Sequence, residues 1–207
     1  DKVMHDKSVC LDGTYDKAVA AIKMAKERGF RTQINCTLFD GADPARTAAF
    51  FDEMMAMGVD GITVSPGYAY ERAPDQEHFL NRERTKKLFR DILARGNGGK
   101  KWAFTQSDLF LDFLAGNQTY ECTPWSMPAR TVFGWQKPCY LLGEGYVKTF
   151  KELIEGTEWE KYGVGNYEKC ANCMVHCGFE GTAVMDSVAH PAMMIPLAIR
   201  GGKTECP

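Results

Sequence analysis

The first half of the chain alternates between segments with helical and with strand periodicity, and this alternation restricts the fold more than any other feature. Residues 14–28 carry apolar side chains three or four positions apart, and Gly29 is a natural residue to follow a helix. Residues 30–38 alternate and contain β-branched and apolar residues, which predicts a strand. Strand–helix alternation with short connections predicts a parallel sheet with right-handed crossovers.

The same pattern continues to about residue 116. Asp43 before Pro44 predicts the start of a helix, because an aspartate caps the first turn and proline fits its first position. The further predicted elements are helices over 44–57, 82–94 and 107–115 and strands over 59–65 and 102–105. Two or three such units cannot close a barrel. We therefore expect an α/β fold in which residues 1–116 form one side of a larger βα (TIM-like) barrel, with a truncated start at Asp1.

The pattern changes in residues 117–207. Periodicity weakens, one helix is predicted over 147–154, and aromatic residues, glycine, proline and cysteine become dense. A region that is poor in regular core and rich in cysteine is usually held by a metal rather than by packing. We expect a small, irregular, cysteine-rich C-terminal region after the barrel segment.

Three cysteines at C-x2-C-x3-C spacing give the sharpest motif in the sequence, Cys170, Cys173 and Cys177. A C-x2-C turn lets two thiolates converge on one metal centre, and the next cysteine adds a third ligand. Cys139 is the candidate fourth ligand, and Cys122 is its main competitor. Thiolates suit both zinc and iron–sulfur clusters, so the residues leave the metal open.

The predicted strands carry candidate binding residues at their ends. Asn35 lies within a strand, where an amide is either a hydrogen-bonded core group or an inward-pointing group near the mouth of a barrel. Ser65 ends the next strand, and the loop that follows contains Tyr68 and Tyr70. If the barrel interpretation holds, that loop lies on the active face.

Composition excludes several classes of protein. The 207 residues have a formal net charge of -2, whereas nucleic-acid binders usually carry a basic excess. We see no signal-peptide pattern and no apolar run of roughly 18–20 residues, and we expect a cytoplasmic protein. Eight cysteines, clustered in a chain with amphipathic helices, indicate metal binding rather than disulfides.

Several segments resemble a known family. The stretch VMHDKSVCLDGTYDKAVAAIKMAKERGFRTQINCTLF is similar to the second half of a radical S-adenosylmethionine (SAM) core. The segments GVDGITVSPGYAYERAPDQEHFL, CTPW, GWQKPCYLLGEGY and KCANCMVHCGFE together resemble the hopanoid-biosynthesis radical SAM proteins of the HpnH type, the adenosyl-hopene transferases. The resemblance covers nearly the whole chain.

The resemblance implies an enzyme that uses a [4Fe–4S] cluster to cleave SAM and adds the 5′-deoxyadenosyl group to a hopene alkene, giving adenosylhopane. It implies a reductant protein as partner, and a membrane-resident hopene would bring the enzyme to the membrane periphery. By analogy, Asn35 contacts the ribose or amino-acid part of SAM, the strand ending at Ser65 lines the adenine side, and Tyr68 faces the substrate cavity. The late cysteines resemble an auxiliary-cluster segment of the SPASM or Twitch type.

One departure from the family is serious, because the C-x3-C-x2-C motif that holds the catalytic cluster does not occur in this sequence. We therefore expect that this polypeptide alone does not cleave SAM. Two alternatives remain. One is a zinc-bound structural or interaction module without catalysis, and the other is a radical SAM enzyme that acts on a peptide.

Overall fold

Parallel strands form the centre of the first half of the chain in the computed structural model, which describes residues 2–69, 73 and 76–202. Strand β1 (Gln33–Leu38) pairs in parallel with β2 (Gly61–Pro66), and Asn35 lies opposite Thr63. In β2 every residue except the half-buried Thr63 is buried, whereas every second residue of β1 is exposed: Gln33, Asn35 and Thr37. One face of β1 is therefore polar and open to solvent.

A third segment extends this sheet beyond β2. Phe104 forms a parallel bridge to Ile62, and the N–H of Thr105 donates to the carbonyl of Ile62 at 3.0 Å. The side-chain amide of Gln106 then takes the place of the next pair of backbone hydrogen bonds. Its nitrogen donates to the carbonyl of Val64 at 2.6 Å, and its oxygen accepts from the N–H of Val64 at 2.9 Å. The predicted strand over 102–105 is thus present as a short bridge.

Five helices accompany the described part of this sheet: α1 (Lys2–Ser8), α2 (Thr14–Glu27), α3 (Pro44–Ala56), α4 (Arg82–Arg95) and α5 (Asp108–Leu114). The Asp43 side chain accepts a hydrogen bond from the N–H of Arg46, so the predicted cap of α3 is confirmed. Asn81 caps α4 and Ser107 caps α5 in the same way. The mixed α/β class predicted from periodicity is therefore confirmed.

The second half contains more regular structure than its sequence indicated. A small antiparallel sheet comprises β3 (Arg130–Thr131), β4 (Gly134–Gln136) and β5 (Tyr146–Val147), and the helices are α6 (Phe150–Gly156), α7 (His176–Ala189) and α8 (Met194–Arg200). The expectation of a largely irregular region was wrong for α7 and α8. Helix α7 buries Phe179 and Ala183 but also exposes Val184, Met185 and Val188, so apolar residues on both faces hide its helical period.

Among the described residues, no single helix is long and apolar enough to cross a membrane. The helices over 176–189 and 191–200 meet the requirements of length and composition only as a pair, and they are bent by 102° relative to each other.

Aromatic stacking joins the two halves of the chain. The ring of Phe113 in α5 stacks on the ring of Phe179 in α7, with centroids 4.8 Å apart. The guanidinium of Arg82 lies 5.6 Å from one centroid and 5.7 Å from the other, and it donates to the carbonyl of Cys173 at 2.5 Å. One hydrophobic core therefore extends from the sheet to the cysteine motif.

We expect Phe179→Ala to lower the free energy of unfolding by about 3–5 kcal/mol, because it empties a fully buried ring site between α5 and α7. Val188→Ala is the matched control, since Val188 lies on the same helix but is 72% exposed. It should change the free energy of unfolding by less than about 0.5 kcal/mol. Urea unfolding measures both variants. Equal losses would show that the two halves do not depend on this contact.

Candidate metal centre

Five cysteine side chains line one small cavity between the C-terminal loops and α7: Cys122, Cys139, Cys170, Cys173 and Cys177. The cavity has a volume of about 30 Å³, and apolar residues such as Leu141 and Phe179 form much of the remaining wall. All seven cysteines that the structure describes are free thiols, so no disulfide explains the gathering. The predicted motif and both candidates for the fourth ligand are therefore brought together.

Short turns place the three motif cysteines. Cys170 ends a 3₁₀ turn (Glu168–Cys170), and the N–H of Cys173 donates to the carbonyl of Cys170 at 3.0 Å. Cys177 lies in the first turn of α7. The C-x2-C turn expected from the spacing is thus observed.

The two distant cysteines enter from the segment before α6. Cys122 is fixed by its neighbour, because the N–H of Thr123 donates to the carbonyl of Gly178 at 2.6 Å. Gly178 also permits the approach of the sulfur, since a Cβ at this position would lie 2.6 Å from the Cys122 Sγ. This requirement for glycine was not predicted from the sequence.

Hydrogen-bond donors are directed at four of the five sulfurs. The N–H groups of Leu141 and Leu142 donate to Cys139, that of Gly163 to Cys170 and that of Val175 to Cys173, while the hydroxyl of Tyr140 donates to Cys177. In the part of the chain that the structure describes, the Cys122 sulfur receives no such bond. Donors of this kind stabilise negative charge on sulfur, as they do around protein-bound metals.

Burial keeps these thiols protonated in the absence of a cation. It raises the pKa of Cys122 and of Cys177 to about 12, and it raises the pKa of Cys173 well above its usual value. The neighbouring cysteines add to each shift, because several thiolates in one cavity would repel each other. A bound cation would remove this penalty, so the site suits a group that displaces the thiol protons.

The arrangement of the thiols bears on the kind of group that fits. Among the described residues, no three His, Cys, Asp or Glu side chains are placed to hold one metal ion. In an iron–sulfur cluster, however, the four thiolates bind around a multi-atom group rather than a single ion. Thiols that surround a cavity, with donors behind the sulfurs, fit a cluster of this kind.

The barrel-side candidates lie in three different environments. Asn35 is exposed on the open face of β1, so it is not a buried core amide in this chain. Ser65 is buried, and its hydroxyl lies 3.4 Å from the carbonyl of Pro66. Tyr68 lines the cysteine cavity, its hydroxyl donates to the carbonyl of Lys169, and burial raises its pKa. Tyr70 lies outside the described residues.

A larger cleft adjoins the cysteine cavity and was not predicted. It has a volume of about 370 Å³, and it shares Tyr68 and Leu142 with the cavity wall. Its lining includes polar side chains from both halves of the chain, namely Asn81, Lys169 and Asn172. The volume falls within the range of small-molecule sites in proteins.

One family model matches residues 62–196, and its description is "domain of unknown function (DUF3463)". The matched range contains Tyr68 and all five cysteines of the cavity, whereas Asn35 precedes it. No curated protein and no solved structure matches the chain.

The Gly178 contact gives a direct test of the packing around Cys122. We expect Gly178→Ala to lower the free energy of unfolding by about 1–3 kcal/mol relative to Gly156→Ala, because the new methyl group must displace the Cys122 Sγ. Gly156, the last residue of α6, has open space at its Cβ position, so its substitution controls for the removal of a glycine. Equal stabilities in thermal or urea unfolding would contradict the close approach.

Proposed function

The chain belongs to the DUF3463 family, and we propose that it is the C-terminal part of a radical SAM enzyme of the HpnH type whose late cysteines hold an iron–sulfur cluster. The observation that carries the cluster is the convergence of five thiols on one cavity. The assignment to hopanoid biosynthesis rests on the resemblance of the segments around the strands and cysteines to the HpnH-type proteins.

Cys139, Cys170, Cys173 and Cys177 are the ligands in this proposal. Each of the four receives a hydrogen bond at sulfur, which favours the thiolate over the thiol. Cys122 is buried and receives no such bond from the residues that the structure describes, so it is the fifth thiol and stays protonated beside the cluster. The four-ligand set is the number that a [4Fe–4S] cluster requires.

The first half of the chain is compatible with one side of a βα barrel. Parallel sheets are nearly always covered on both faces, yet Gln33, Asn35 and Thr37 are exposed on β1. A polar strand face of this kind suits a barrel interior that further strands complete. In the complete enzyme, Asn35 would contact the ribose or amino-acid part of SAM, and the backbone near Ser65 would line the adenine.

The proposed reaction joins the 5′-deoxyadenosyl group of SAM to a hopene alkene and releases methionine. Its balance requires two electrons and one proton: one electron for cleavage of the sulfonium bond, and an electron and a proton for the carbon radical left after addition. A reductant protein supplies the electrons. Iron–sulfur clusters supply one-electron transfer, and the protein contributes orientation and exclusion of water.

The polar cleft beside the cysteine cavity favours a second candidate, a radical SAM enzyme that acts on a peptide. The carboxamides of Asn81 and Asn172 and the ammonium group of Lys169 suit the polar groups of a peptide better than a hydrocarbon. Incubation of the complete enzyme with a hopene separates the two candidates, because only the first forms adenosylhopane.

Metal analysis tests the cluster. After anaerobic reconstitution with iron and sulfide, we expect about four irons per chain and an electron paramagnetic resonance signal from the reduced cluster. Serine substitution of Cys139, Cys170, Cys173 or Cys177 should remove most of the iron and the signal. Cys122→Ser is the matched control inside the cavity, and it should retain both.

Two results would contradict the proposal for this region. About one zinc and no iron per chain would identify the structural zinc module instead. Loss of iron from Cys122→Ser, with retention in Cys139→Ser, would mean that the competitor identified in the sequence is the fourth ligand.

A separate measurement tests whether this chain alone cleaves SAM. We expect the chain alone, reconstituted and supplied with SAM and dithionite, to release no 5′-deoxyadenosine, because its sequence lacks the C-x3-C-x2-C motif. Chromatography of the reaction mixture gives the result. Release at the rate of a complete radical SAM enzyme would show that the late cysteines themselves support cleavage of SAM.

A further inference from the structure

A carboxylate held by two tyrosines lies next to the cysteine cavity. The hydroxyl of Tyr162 donates to one oxygen of Glu144 at 2.5 Å, and the hydroxyl of Tyr167 donates to the other at 2.6 Å. The two rings meet edge to face with centroids 5.5 Å apart, which fixes the pair. Both donors are neutral, so they orient the carboxylate without cancelling its charge.

The backbone around Glu144 is held as firmly as its side chain. The Gln136 amide donates to the carbonyl of Tyr140 at 3.0 Å and to that of Leu142 at 2.9 Å. The N–H of Lys137 donates to the carbonyl of Gly145 at 3.1 Å. Glu144 therefore occupies a defined position five residues after Cys139.

Glu144 is one hydrogen bond away from the wall of the cysteine cavity. Tyr162, which binds the carboxylate, is itself part of the cavity wall. Leu141 and Leu142 also line the cavity, and they lie three and two residues before Glu144 in the chain. The carboxylate is therefore held beside the wall that the five thiols share.

The ammonium group of Lys169 lies near this network, 5.8 Å from the centroid of the Tyr167 ring. Lys169 lowers the pKa of Tyr167, whereas the hydrogen bond to Glu144 is the main influence and raises it. Glu144 therefore influences Tyr167 more than Lys169 does.

We propose that Glu144 sets the reduction potential of the cluster at the late cysteines, because its fixed negative charge disfavours the addition of an electron. This inference rests on the proposed function, since it requires the cluster. Reduction makes the cluster more negative by one unit, and a like charge nearby shifts the midpoint potential downward. The reduced cluster then becomes a stronger electron donor, and Tyr162 and Tyr167 are the residues that position the carboxylate.

The test compares midpoint potentials of the reconstituted chain by redox titration followed by electron paramagnetic resonance. Glu144→Gln removes the charge and keeps the size and an acceptor oxygen, and we expect its midpoint potential to rise with iron content unchanged. Glu155→Gln on α6 removes the same charge from an exposed site paired with Lys151 at 3.9 Å, and it should leave the potential unaltered. Tyr167→Phe keeps the charge but loses one hydrogen bond, so its shift should be smaller than that of Glu144→Gln.

Each outcome decides the inference. Equal potentials in the parent chain, Glu144→Gln and Glu155→Gln, with parental iron content, would overturn the role of Glu144 and leave the proposed function intact. Loss of iron from Glu144→Gln would overturn it as well, because Glu144 would then be needed to form the site rather than to set its potential. Absence of iron from the parent chain would instead show that the proposed function fails.

Discussion

The contact between α5 and α7 determines where the cysteine cavity forms. Phe113 and Phe179 stack with Arg82 beside both rings, and the same guanidinium binds the carbonyl of Cys173. This contact fixes the start of α7, which carries Cys177 and Gly178. The loops that bring the remaining thiols are then positioned against that helix end. The cysteine cavity is thus attached to the hydrophobic core.

Desolvation makes the cavity unfavourable for thiolates, and this restricts the kind of group that can occupy it. Five thiols in one apolar cavity gain little from packing alone, and four of them receive donors that favour the charged form. Such donors stabilise thiolates, and thiolates form in this cavity only when a cation is present to pair with them. The proposed cluster accounts for both the shared cavity and the donors. The carboxylate of Glu144 adds a negative charge near that cavity.

Elements with strong local signals were predicted well. Asp43 starts a helix because its side chain caps the first turn, and this depends on neighbouring residues only. Helix α7 escaped prediction because Val184, Met185 and Val188 remain apolar on its exposed face. The short strands β3–β5 contain two or three residues each, which is too few to show a strand period.

The sequence alone determined the α/β class, the Asp43 helix cap and the close grouping of Cys170, Cys173 and Cys177, because each depends on contacts within a few residues. The tertiary structure alone brought both Cys122 and Cys139 to the same cavity and placed Tyr68 in its wall. It also set Glu144 between two tyrosines from a later loop. Such contacts join residues far apart in the chain, and loop closure between them leaves no period or spacing in the sequence.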